Sequence, residues 1–590
     1  MKDFFKTTFA TLLALVLAGF VFIFFGITAL VGSIMSTEVT TTVKQNSVFV
    51  LDLNGNVMER YQQTPLDTYL NENMKTYGLD DIIASIRKAQ NHSNIKGIYI
   101  NAEMFFTCSP ASLQEIRNTL EEFKQSGKFV VAYSGHYTQG AYYVSSVAHK
   151  LVVNPSGSIS WHGMAAQNMF FKDMLEKFGV KMQIFKVGTY KSAVEPFINT
   201  EMSPANREQT QAYIGSIWQQ IVKDVAISRD IAEEELNDLA DKNMDFSNAQ
   251  EYVDCHMADT LMYQDEVLAY LKKLSGTNKG DKLNTLYLTD MINLKATDTH
   301  KSKNEIAVYY AFGEIDNQAS SIYSQDGIFS DKVTRDLRAL REDDNIKAVV
   351  LRVNSPGGSA YGSEQIWREV CLLKEKKPVV VSMGDFAASG GYYISCAADY
   401  IFAETTTLTG SIGIFGMIPD VSGLLTDKLG MHFDVVKTNK LADVGNMGRP
   451  MNSDEKALLQ KMINIGYEQF VKRCSDGRNI PVDELKKLAE GRVWTGEMAK
   501  DLKLVDELGG LDKAIDKAAQ KSGLDDYKIT SYPAGKDFFT ELFDIVQPQR
   551  YIHMKAESAF GNYYSGFQFV NNLQHMDKVQ ARLPFSISLQ

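Results

Sequence analysis

The chain begins with one long apolar run and then settles into shorter hydrophobic stretches of two kinds. From Thr7 to Met35 there is no charged residue, and Leu, Val, Phe, Ile and Ala dominate. A bilayer core takes about 20 apolar residues in a helix, so this stretch is long enough to span one with some tilt. Lys2 and Lys6 lie before it, while Glu38 and Lys44 are the next charges after it. Lysines on the near side predict a cytoplasmic N-terminus, with everything beyond about residue 37 outside. A cleaved signal peptide would carry an apolar region of about 7–15 residues and a small-x-small cleavage site. Ile34-Met35-Ser36 is a poor one, so the expectation is an uncleaved single-pass anchor over residues 1–36.

Beyond the anchor, continuous apolar runs such as Ala348-Val349-Val350-Leu351 and Pro378 to Ser382 suit strands buried on both faces. A helical pattern at Ser363 to Lys374 separates them, and strands alternating with helices predict an α/β fold with parallel pairing. Later comes a long amphipathic helix. Ser203-Pro204 supplies its cap and first-turn proline, and Ile214, Ile217, Trp218, Ile221, Val222 and Val225 share a face. Ser453 is expected to cap its counterpart, with Leu459, Met462, Ile463, Phe470 and Val471 on the apolar face.

These elements occur twice. Asn94-Ile95-Lys96-Gly97-Ile98-Tyr99-Ile100 recurs as Asn345-Ile346-Lys347-Ala348-Val349-Val350-Leu351, and Gly140-Ala141-Tyr142-Tyr143 recurs as Gly390-Gly391-Tyr392-Tyr393. Gly157-Ser158-Ile159 likewise returns as Gly410-Ser411-Ile412. The offset is nearly constant, which predicts a tandem duplication with halves at 37–300 and 301–590.

Composition narrows the function. At 590 residues the chain is too long for one core, and 44% hydrophobic with 23% charged residues is ordinary globular composition. A net charge of -11 argues against a nucleic-acid partner. The five cysteines are scattered with no C-x-x-C pair, which removes zinc ribbons and disulfide frameworks.

Candidate chemistry lies in the second half. Asn354-Ser355-Pro356-Gly357-Gly358 and Ala388-Ser389-Gly390-Gly391 each follow a buried-type strand. A serine at a strand-to-helix turn exposes its hydroxyl, and free amides of the first helical turn and a nearby glycine loop can hold an oxyanion. Gly358 and Gly390 are the natural donors. The first half has lost this equipment: Gln139 stands where Ser389 lies, and Asn101-Ala102-Glu103-Met104-Phe105 replaces the glycine loop. None of the nine histidines is an evident base, so lysine is the alternative, provided burial lowers its pKa.

Val187-Gly188-Thr189-Tyr190-Lys191-Ser192-Ala193-Val194-Glu195-Pro196-Phe197, together with N-S-P-G-G, A-S-G-G-Y-Y, L-T-G-S-I-G-I-F-G and Gly491-Arg492-Val493-Trp494-Thr495-Gly496, resembles the long-form signal peptide peptidase A family. The resemblance covers nearly the whole chain. It implies a duplicated Clp-protease/crotonase-like fold and a Ser/Lys dyad, with Ser389 as nucleophile and Lys191 as general base. It further implies that Ser411 supports the lysine and that Gly358 and Gly390 donate to the oxyanion. A homotetramer at the bacterial inner membrane, peptide substrates (cleaved signal peptides), and no metal or other cofactor are also implied. Lys440 sits at roughly the matching place in the second half but lacks the surrounding G-T-Y-K-S sequence. The rival readings are a crotonase-like acyl-CoA enzyme and a catalytically silent scaffold. No function is assigned to the tail beyond about Tyr527.

Overall fold

The computed structural model describes residues 4, 6–11, 17–19, 41–61, 76–294, 302–318, 327–534 and 579–582. Most of the expected anchor lies outside these residues. Among the described residues no helix is long and apolar enough to cross a membrane.

Each half is built on a parallel sheet with the same order of strands. In the first half Ser47–Met58, Ile95–Thr107, Phe129–Tyr137, Lys150–Ile159 and Thr260–Leu261 lie side by side. In the second half Glu305–Phe312, Ile346–Ser355, Val379–Ala388, Tyr400–Ala403 and Glu507–Leu508 repeat that arrangement. Their central strands read as unbroken Val, Ile and Ala because helices or the other half cover both faces. The expected strands are present, and longer than their apolar cores. Ile346–Ser355 runs on into the N-S-P-G-G loop, and Val379–Ala388 delivers the chain to Ser389.

The long helices are Pro204–Arg229 and Ser453–Arg478. Ser203 caps the first, its hydroxyl accepting from the Asn206 amide. The second is capped by Asn452 rather than Ser453. The Asn452 side chain accepts from the Glu455 amide, and Glu455 accepts from the Asn452 amide. This reciprocal pair outcompetes a serine one position later, which becomes the first helical residue. Met462, read as part of the apolar face, is largely exposed, whereas Ile463, Phe470 and Val471 are buried.

A third sheet joins the halves. Lys181–Lys186 from the first half pairs antiparallel with Phe415–Asp420 from the second, from Lys186 opposite Phe415 to Lys181 opposite Asp420. Five residues past this ladder stands Lys191. A buried ionic cluster makes a second junction: Arg352, on the strand before the glycine loop, pairs with Glu59 and, at 2.7 Å, with Glu115, both from the first half. Asn354 donates to Glu59 and Asp385, each at 3.0 Å, and Asp385 accepts from the amide and hydroxyl of Ser112.

Candidate active site

Ser389 directly follows the strand Val379–Ala388 with φ +55 and ψ -113, a conformation that bulky residues avoid and that tight functional turns use. Its amide donates to Gly410 O at 2.8 Å, which fixes the turn against the T-G-S-I-G segment. The helix Gly390–Ser395 starts immediately afterwards, so its first amides have no partner within the helix. Both following glycines are required by close approach. A Cβ on Gly390 would fall 2.7 Å from Ser363 Oγ, and one on Gly391 would fall 2.6 Å from Ser355 O.

Lys191 crosses from the other half to meet this serine. Nζ lies 2.8 Å from Ser389 Oγ, 3.0 Å from Ser411 Oγ and 3.2 Å from Ser411 O. The lysine is 1% exposed, and burial, with no carboxylate partner among the described residues, lowers its pKa to about 7. A neutral amine has two N–H groups and one lone pair. The two Ser411 oxygens can take the N–H groups, which leaves the lone pair for the Ser389 hydroxyl. Ser411 is itself held at φ +50, its amide donating to Arg492 O at 2.7 Å.

The loop carrying Lys191 is fixed by buried polar groups. Glu195 accepts from the Ser203 amide at 3.1 Å, the Ser203 hydroxyl at 2.6 Å and Asn206 Nδ2 at 3.0 Å. Gln209 donates to Tyr190 O and Ser192 Oγ, both at 3.0 Å. Gly491 (φ +78) packs directly on the lysine: a Cβ there would lie 2.7 Å from Lys191 Cβ. The G-R-V-W-T-G motif identifies Gly491 only by resemblance. Nothing in the sequence marks it as the floor under Lys191.

Lys440 stands elsewhere in character, its side chain 79% exposed and ion-paired with Asp454, which raises its pKa. Gln139, at the place of Ser389 in the first half, has become a staple. Its oxygen accepts from the His162 and Gly163 amides, and its nitrogen donates to Gly163 O, all at 3.1 Å.

The two glycines of the N-S-P-G-G loop face different neighbours. A Cβ on Gly358 would fall 2.0 Å from Ile315 O, on the adjoining strand. One on Gly357 (φ +103) would fall 2.8 Å from the Gly390 amide nitrogen. Gly357, to which the sequence alone assigns no role, therefore lies beside Gly390, and the amide that follows it is that of Gly358. The doubling of the glycine, with Gly357 directly before Gly358, is the signal in the sequence.

Comparison with known proteins agrees with the duplication. The profile of peptidase family S49 matches residues 122–278 and again 372–525, and that of Clp protease matches 319–407. Protease 4 of Salmonella typhi is 37% identical over 78% of this chain and 75% of its own length. Protease 4 of Haemophilus influenzae is 37% identical over 75% and 72%. The chloroplastic serine protease SPPA of Arabidopsis thaliana is 30% identical over 82% and 70%. The class is thus a serine peptidase on a duplicated, Clp-protease-like α/β unit. The chain belongs to peptidase family S49.

Proposed function

We propose that this is a membrane-anchored endopeptidase with a Ser/Lys dyad that degrades cleaved signal peptides in or near the bilayer. The observation that carries the reading is the 2.8 Å approach of buried Lys191 Nζ to Ser389 Oγ. Lys191, neutral over an accessible pH range, takes the Ser389 proton as the hydroxyl attacks a peptide carbonyl. The amides of Gly358 and Gly390 receive the oxyanion, and Ser411 holds the amine in line. Lys191 then gives its proton to the leaving amine, and water hydrolyses the acyl-enzyme.

The apolar run Thr7 to Met35 supports anchoring, and an inner-membrane enzyme facing away from the cytoplasm is the corresponding placement. The homotetramer rests on the family resemblance. Incubation of the chain in detergent with a synthetic signal peptide, followed by mass spectrometry, tests the reading. Wild type should cut within the apolar region and Ser389→Ala should not. Equal cutting by both would overturn Ser389 as nucleophile.

A further inference from the structure

Lys191 and Ser389 come from different halves, so their 2.8 Å approach depends on what locks the Lys191 loop to the T-G-S-I-G segment. In that segment Ser411 receives the lysine amine, and Gly410 O receives the Ser389 amide at 2.8 Å. Behind both runs the strand Val493–Thr495, paired antiparallel with Leu408–Gly410 so that Gly410 lies opposite Val493. Arg492 stands at the entry to this strand. Its carbonyl accepts from the Ser411 amide at 2.7 Å and would lie 3.1 Å from a Cβ on Gly410. The Arg492 main chain thus sets the segment that holds both members of the dyad.

The Arg492 side chain turns to the other half. Its guanidinium carbon lies 4.6 Å from the ring centre of Tyr190 and 4.6 Å from that of Trp494, so one planar cation is shared by two aromatic rings. It donates to Tyr190 Oη at 3.1 Å and pairs with Glu208 at 3.0 Å, and Tyr190 Oη donates to Glu208 at 3.1 Å. Arg492, Tyr190 and Glu208 therefore close a ring of polar contacts that spans the two halves. Tyr190 immediately precedes Lys191, and its carbonyl is already held by Gln209. The ion pair is partly open, with Arg492 23% and Glu208 55% exposed, and such a pair alone fixes little. The guanidinium plane adds direction, because it meets rings, hydroxyl and carboxylate at once, which an ammonium does not.

Resting on the dyad reading above, we propose that Arg492 is a positioning residue for Lys191 and Ser389. Its carbonyl fixes Ser411, its guanidinium fixes Tyr190 and with it the Lys191 loop, and both neighbours of Lys191 Nζ are thereby set from one place. Arg492 touches none of the reacting atoms. It acts through the alignment of Lys191 with Ser389, which governs the bond-making step, so its loss falls on kcat and spares KM.

Steady-state kinetics of the full chain in detergent on a short fluorogenic peptide test this, with melting temperatures and a Ser389→Ala control measured alongside. Arg492→Ala should lower kcat by about 30-fold or more while KM changes by less than about twofold. The arginine is open to solvent along one edge, so added ethylguanidinium should enter the vacated place. It should raise the kcat of Arg492→Ala by about fivefold or more and leave the wild type unchanged. Arg492→Lys keeps the charge but not the plane, and its kcat should stay at least about fivefold below wild type. Three results overturn the proposal: a kcat for Arg492→Ala within about threefold of wild type, a loss carried equally by KM, or a loss that ethylguanidinium leaves untouched. Should Arg492→Ala fail to fold, Arg492→Lys decides, and wild-type kcat in that variant overturns the role. If the wild type cuts and Ser389→Ala does not, such a failure belongs to this inference alone. Cutting by Ser389→Ala at the wild-type rate brings down the dyad reading instead.

Discussion

At the scale of single residues, the proposed mechanism turns on one lysine deprived of water and, among the described residues, of counter-charge. The Lys191 pKa of about 7 means that the rate should rise with pH through about 7 and then level off. A pH profile of kcat/KM on a short peptide checks this. Lys191→Met should lower kcat by about 10³-fold or more while leaving the fold intact. The same substitution should stabilise the protein, because the wild type holds an amine whose charged form is disfavoured in the folded state. The unfolded chain binds more protons between about pH 7 and the ordinary lysine value of 10.5, so wild-type stability from this group rises across that window. Below about pH 7 its contribution is flat. Urea melts at pH 6, 8 and 9.5 should therefore show the largest advantage of Lys191→Met at the lowest pH, shrinking as pH rises. Gly491→Ala should act from beneath the lysine. Its Cβ would meet Lys191 Cβ at 2.7 Å in a left-handed backbone, and kcat should fall by about 10²-fold.

At the scale of elements, the parallel strands were legible because burial on both faces leaves unbroken Val-Ile-Ala runs. Their ends were not. The strand Val379–Ala388 continues through Gly384 and Asp385, residues that composition would give to a loop, because Asn354 and Ser112 satisfy Asp385. The cap at Asn452 was misplaced by one residue because the reciprocal Asn452–Glu455 bonds depend on both side chains at once. The strand Val579–Arg582 carried no pattern at all. Four residues between masses of other sequence give no period, and only its ladders with the strands Gly357–Ser359 and Phe415–Asp420 define it. The loop holding the glycines depends on Arg352, buried between Glu59 and Glu115. Arg352→Ala should destabilise the protein by about 3–5 kcal/mol, since it leaves two buried carboxylates uncompensated. Replacing Lys440, exposed and paired only at the surface, should change neither stability nor kcat by more than about twofold.

At the scale of the whole molecule, the duplication was readable from three matched segments, and the two sheets repeat the same strand order. Divergence of the halves was readable too, since Gln139 replaces the serine. What sequence could not supply was how the halves meet. Pairing of Lys181–Lys186 with Phe415–Asp420 is a contact between residues more than 200 positions apart, and it is this ladder that brings Lys191 to Ser389. Each half thus holds one member of the proposed dyad, Lys191 in the first and Ser389 in the second.

That central claim is tested most directly by labelling with a small fluorophosphonate and locating the adduct by mass spectrometry in wild type and Lys191→Ala. The account predicts a single adduct on Ser389 in the wild type, forming faster as pH rises through about 7, and at least about 10²-fold slower labelling in Lys191→Ala. Labelling of Ser389 at an unchanged rate without Lys191, or an adduct on another residue, would contradict it.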